Sequence, residues 1–210
     1  ENERRRGEAG DLSKASAAHT SMHDVDRRIL AALVVDGENR GGGLLVERAR
    51  VSMGSELRLS AWTADESAAA SAFEAVFAEF ERLENLMSVW RPGSDIVRLN
   101  DAAGEHPVLV SPEVIEVLQT ARQVSEWTNG KFDVTFGALS GLWKFDHDQD
   151  NRIPDPRAVA AKLPLIDYRA LTIDEHARTA FLARKGMRAH LGGIGKGYAI
   201  DRGIAILRAR

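Results

Sequence analysis

The sequence predicts an α+β fold in which a mixed or antiparallel sheet packs against helices. Two long segments carry apolar residues at helical spacing, and several short ones read as strands. The two kinds do not alternate as strict βα units, which argues against a doubly wound parallel sheet. A glycine-rich loop, Leu191-Gly192-Gly193-Ile194-Gly195-Lys196-Gly197-Tyr198-Ala199-Ile200-Asp201, joins an apolar run to an amphipathic one near the end of the chain.

The elements follow in order. Residues 1–43 are polar and Ala/Gly/Arg-rich, and read as a mobile arm ending in the linker Gly41-Gly42-Gly43. Only residues 29–35 are apolar there, and a short helix is expected for them. Residues 44–210 form the folded domain. Leu44-Leu45-Val46, Val51-Ser52-Met53 and the alternating run at 56–62 predict two strands. Asp65 then caps a helix to about residue 89, whose stripe Phe73, Val76, Phe77, Phe80, Leu83, Leu86 and Met87 is core. Pro92-Gly93 ends it. A short helix is expected at 94–99.

Ser111-Pro112-Glu113 combines a cap, an N1 proline and an acidic first turn. It opens a helix with Val114, Ile115, Leu118, Ala121, Val124 and Trp127 on one face, ending at Asn129-Gly130. Phe132-Asp133-Val134-Thr135-Phe136 reads as a strand. Asp155-Pro156 opens another helix to about residue 163. Residues 170–173 and 179–183 read as a hairpin, with 187–191 as a third strand and a last helix after the Gly loop.

Composition narrows the function. With 44% hydrophobic and 28% charged residues the chain is ordinary for a soluble domain. A net charge of −3 offers nucleic acid no general attraction. The absence of cysteine excludes disulfides, thiol catalysis, Fe–S clusters, Cys-zinc sites and a lipidated Cys within these residues. No apolar run is long enough to span a bilayer, and no signal peptide or lipobox is visible. The start at Glu1 without Met and the stop at Arg210 inside a helical pattern read as a processed or incomplete product. The acidic run Asp146-His147-Asp148-Gln149-Asp150-Asn151 fails the EF-hand pattern, because position six is Asn151 and position twelve is Arg157. It reads as a solvated loop.

The Gly loop suits a phosphate or pyrophosphate. Glycine permits positive φ and close backbone approach, and a helix N-terminus with a lysine adds donors and charge. It matches neither the Walker A loop nor the dinucleotide fingerprint. A turn for tight strand–helix packing is the alternative.

Four segments together resemble one family. They are Met53-Gly54-Ser55; Leu86-Met87-Ser88-Val89-Trp90-Arg91-Pro92-Gly93-Ser94-Asp95-Ile96-Val97-Arg98-Leu99-Asn100; Gly130-Lys131-Phe132-Asp133-Val134-Thr135-Phe136-Gly137-Ala138-Leu139 with Leu142-Trp143; and the Gly loop with Asp201. The set, over residues 48–210, resembles the ApbE family of FAD:protein FMN transferases. The resemblance implies an ApbE-like (T-fold-like) domain that is incomplete at its C-terminus. It implies a reaction in which a Thr or Ser hydroxyl of an acceptor redox protein attacks the FAD pyrophosphate, keeps FMN and releases AMP, with Mg2+ as cofactor. It also implies a place in the bacterial envelope, in the periplasm or at the outer face of the inner membrane.

Roles carry over by resemblance to single residues. The Gly193 carbonyl matches a metal ligand, and Lys196 a contact to the FAD pyrophosphate. Lys131, Phe132 and Asp133 match a stretch that touches FAD; an edge-strand or turn role is the alternative for Asp133. Trp90 matches an aromatic that stacks on the flavin, or else closes the helix end as a core residue. Met53 matches a methionine near the ligand, with core packing as the alternative. His190 stands where the family carries Asp, and replaces an acceptor without its charge. Asp201 reads as structural. The resemblance implies further metal ligands, an Asp and a Thr, beyond residue 210. Three functions follow: a flavin transferase, a non-catalytic flavin-binding relative, or an unrelated α+β interaction domain.

Overall fold

The structure, a computed structural model, describes residues 31–34, 43–143 and 152–209. Two three-stranded sheets organise it. In the first, β1 (Ala31–Val34) runs parallel to β3 (Ser55–Thr63), which pairs antiparallel with β2 (Leu44–Ser52) in the order β1-β3-β2. The β2–β3 hairpin closes through Met53 and Gly54, both left-handed at φ 49° and 73°, the geometry of a tight two-residue turn. The second sheet is antiparallel, in the order β4-β6-β5, from Val108–Leu109, Thr179–Leu182 and Leu171–Asp174.

The helices follow their sequence signals closely. α1 (Glu66–Met87) begins where the Asp65 carboxylate accepts from the Ala68 N–H. Its stripe from Phe73 to Met87 is buried, with Leu86 half-buried. α2 (Asp95–Asp101) is capped by Ser94, whose Oγ accepts from the Val97 N–H at 3.0 Å. α3 (Pro112–Trp127) starts at Ser111 as expected, but the Ser111 hydroxyl donates to the buried Asp95 carboxylate at 2.7 Å instead of capping. The long-range bond wins because Asp95 is out of water and needs donors. α4 (Pro156–Lys162) starts at Asp155. α5 (Gly195–Arg208) packs along α1.

Four expectations change. Residues 31–34 form a strand where a short helix was expected across 29–35, because the edge of β3 offers them a ladder. Apart from Gly43, the rest of the expected arm lies outside the described residues, as does the acidic run at 146–151. Trp127 does not join the core face of α3 and is 73% exposed, at the helix end where the chain turns away. Residues 132–136 are not a strand. Asp133 folds them into a turn, its Oδ1 accepting from the Thr135 N–H and hydroxyl at 2.8 and 2.7 Å.

The fourth change concerns 187–191, expected as a strand. Met187, Ala189 and Leu191 are buried, while Arg188 is exposed and His190 half-buried, so the alternation is strand-like. Its hydrogen bonds go elsewhere. Asn100, buried on α2, accepts from the Ala189 N–H at 2.6 Å and donates to the Ala189 carbonyl at 3.0 Å. The His190 N–H donates to the Val134 carbonyl, and Arg188 forms an isolated bridge with Phe136. One side-chain amide thus takes the place of a neighbouring strand. Gly137 allows the approach, since a Cβ there would lie 2.5 Å from the Arg188 carbonyl oxygen.

Asn100→Ala leaves both polar groups of Ala189 unpaired in a buried place. At about 1–3 kcal/mol for each of the two unsatisfied groups, stability is expected to fall by about 2–6 kcal/mol. Urea unfolding should show a lower midpoint at an unchanged m-value; an unchanged midpoint would contradict the anchoring role.

Candidate functional site

Three elements meet around a cleft of about 460 Å³. The size lies within the range of small-molecule sites. One wall is the β2–β3 turn, with Met53 and Gly54. The second is the end of α1 and the loop after it, with Glu84, Met87, Ser88, Trp90 and Arg91. The third is the Gly loop, with His190, Leu191, Gly192, Gly195 and Lys196.

Each wall is held by identifiable bonds. The Glu84 carboxylate accepts from the Met53 N–H at 3.2 Å and pairs with Arg91 at 3.1 Å, so it ties the strained turn to the α1 end. Ser88 Oγ accepts from the Trp90 N–H, and Ser94 Oγ donates to the Ser88 carbonyl at 2.6 Å. With Gly93 at φ 81° these bonds reverse the chain and leave Trp90 on the rim, 74% exposed. The tryptophan is therefore not a core plug, and its face is available for stacking.

The Gly loop begins from the buried 187–191 segment. The Ile194 and Gly195 N–H groups both bond back to the Leu191 carbonyl. None of Gly192, Gly193, Gly195 or Gly197 has positive φ, so their role is to omit a side chain and not to permit a left-handed backbone. At Gly192 a Cβ would lie 2.6 Å from His190 Cε1. The His190 Nδ1 accepts from the Gly192 N–H at 3.0 Å, which places the ring proton of the neutral form on Nε2. Its ring lies 5.3 Å from that of Phe136. Ile194, the N-cap of α5, provides no side-chain cap. Lys196, in the first turn, sends its Nζ to Ser55 Oγ at 2.7 Å.

Met53, Trp90, His190 and Lys196, far apart in sequence, thus line one cleft. Gly193 is exposed on the same loop, with Phe132 beside it: a Cβ at Gly193 would meet Phe132 Cε2 at 3.3 Å. Lys131 and Asp133 are not among the lining residues. Lys131 is exposed, and Asp133 spends its second oxygen on the Tyr168 N–H at 2.8 Å. Sequence reasoning gave Ser55, Glu84 and Arg91 no role. Ser55 and Arg91 stood inside recognised segments, but their partners lie far along the chain. Glu84 carried no signal beyond its place on α1.

Away from the cleft, a charged cluster joins α1, α3 and α5. Arg82 on α1 reaches Glu79 and, on α3, Glu113, while Arg202 on α5 reaches Glu79. The Arg82 hydrogen bond holds the Glu79 carboxyl below its ordinary range. Tyr198 on α5 donates to Glu116 at 2.8 Å; burial, with that carboxylate, pushes its phenol up to about 12.

Comparison with known proteins places this geometry. The ApbE family profile matches residues 53–210. A FAD:protein FMN transferase of Klebsiella pneumoniae is 34% identical over 152 residues, covering 72% of this chain and 46% of that protein. One from Treponema pallidum is 31% identical over 144 residues, 66% of this chain and 40% of that protein. The crystal structure of the ApbE protein of Thermotoga maritima superposes with a TM-score of 0.72 at 26% identity, covering 79% of this chain and 53% of that one. The flavin transferase ApbE of Vibrio cholerae, at 22% identity and a TM-score of 0.72, shares the fold. The chain spans about half the length of these relatives.

The His190 tautomer is directly observable. Imidazole 15N spectra at neutral pH should show a pyridine-type Nδ1 and a pyrrole-type Nε2; the reverse pattern would contradict the bond to Gly192.

Proposed function

The chain belongs to the ApbE family, and we propose on that premise that its cleft binds FAD and serves transfer of FMN to an acceptor protein. The observation that carries this reading is the convergence of Met53, Trp90, His190 and Lys196 on one cleft. The family resemblance assigns each of them to the ligand, and the fold brings them together from three separate segments.

The chemistry suits them. An acceptor Thr or Ser oxygen forms a bond to the FMN phosphorus. The phosphoanhydride bond to AMP breaks, AMP leaves with the bonding pair, and the hydroxyl proton is released. Such a reaction needs positioning and charge neutralisation more than covalent help from the protein. Lys196 supplies positive charge at a helix start that has no side-chain cap, where the helix dipole also favours anions. The exposed Trp90 offers a face to the isoalloxazine.

Mg2+ is proposed beside the Gly193 carbonyl, an oxygen ligand of the kind this ion prefers. The described residues fit it only in part, since they hold no group of three or more His, Asp or Glu side chains able to bind a metal. The proposed acceptor is a redox protein, and the proposed location is the periplasm or the outer face of the inner membrane. Among the described residues no helix is long and apolar enough to cross a membrane.

A second reading, flavin binding without transfer, is favoured by His190 in the family's Asp position. Two measurements separate the readings. Calorimetric titration should show FAD binding that weakens about tenfold or more in Lys196→Ala, the scale of a hydrogen bond to a charged group. Mass spectrometry of a Thr-containing acceptor incubated with protein, FAD and Mg2+ should show an FMN adduct, lost in the same variant. Binding without an adduct supports the second reading, and no binding contradicts both.

A further inference from the structure

We propose that Ser55 is a positioning residue whose neutral hydroxyl holds the Lys196 ammonium at the cleft without cancelling its charge. This rests on the reading of the cleft as a FAD site. The two residues are 141 positions apart and meet at 2.7 Å, with Lys196 Nζ donating to Ser55 Oγ. Among the described residues no carboxylate pairs with Lys196. The other cation lining the cleft, Arg91, is different: Glu84 neutralises it at 3.1 Å.

The hydroxyl is well placed for this task because its backbone is constrained. Ser55 is the first residue of β3 and follows the left-handed pair Met53-Gly54. Positive φ is unfavourable for methionine, and Glu84 holds the turn by accepting from the Met53 N–H. A lysine loses rotamer freedom when it is fixed. Anchoring it before the ligand arrives removes part of that cost from binding. The ammonium has three donors, so one on Ser55 leaves two for phosphate oxygens. A carboxylate in place of the hydroxyl would hold the lysine equally well and remove the net charge that an anion needs.

Lys196 also borders a smaller recess of about 40 Å³ lined by Ser55, Leu57, Phe80 and Ile200.

The test compares Ser55→Ala, Ser55→Thr and Ser55→Asp by titration with FAD and with riboflavin, which lacks phosphate. Ser55→Ala should weaken FAD about fivefold, the scale of one ordinary hydrogen bond. Ser55→Thr, which keeps the hydroxyl, should stay within about twofold of wild type on the same scale. Ser55→Asp should weaken FAD more than Ser55→Ala does, and flatten the salt dependence of binding. Riboflavin affinity and thermal midpoints should not change. Wild-type FAD affinity in both Ser55→Ala and Ser55→Asp would overturn the proposal, as would equal losses for FAD and riboflavin. A wild-type protein that does not bind FAD would overturn the reading of the cleft, and this proposal with it.

Discussion

The pair of hydrogen bonds between Asn100 and Ala189 is the constraint on which the site depends. It fixes the buried segment at 187–191 against α2, with Met187, Ala189 and Leu191 in the core. The same alternation points His190 toward the cleft. The Leu191 carbonyl then receives the Ile194 and Gly195 N–H groups, and α5 starts from that point. The loop is therefore an extension of the core, and its position does not depend on glycine flexibility. A side-chain amide can do this because it carries a donor and an acceptor in one plane, as a strand backbone does.

The cleft divides its work by charge. Glu84 and Arg91 neutralise each other and brace two walls, the hairpin turn and the α1 end. Lys196 is held by a neutral oxygen and keeps its charge. Structural cohesion and the proposed ligand attraction thus use separate cations. His190 Nδ1 accepts from the Gly192 N–H.

Much of this was legible in the sequence. The helix starts at Asp65, Ser94 and Asp155 are local signals, and a one-dimensional pattern records them fully. The apolar stripe of α1 was equally plain. What was not legible depended on contacts between distant residues. The 187–191 segment has strand alternation, but its ladder partner is a side chain about ninety positions away, at |i−j| 89. Residues 132–136 have strand propensity, yet Asp133 turns them by bonding Thr135 and Tyr168. The site was visible as motifs whose convergence the sequence could not display. The bonds made by Ser55 and Glu84 were invisible, because serine and glutamate are common and carry meaning only through their partners. The positive φ values that the Gly loop suggested are absent there.

A crystal structure of the protein with FAD tests whether the cleft holds the dinucleotide. The dinucleotide is expected in the cleft, with a pyrophosphate oxygen within hydrogen-bond distance of Lys196 Nζ and an aromatic ring against Trp90. FAD bound elsewhere on the molecule, or in the cleft with Lys196 and Trp90 untouched, would contradict the reading of the cleft as a FAD site.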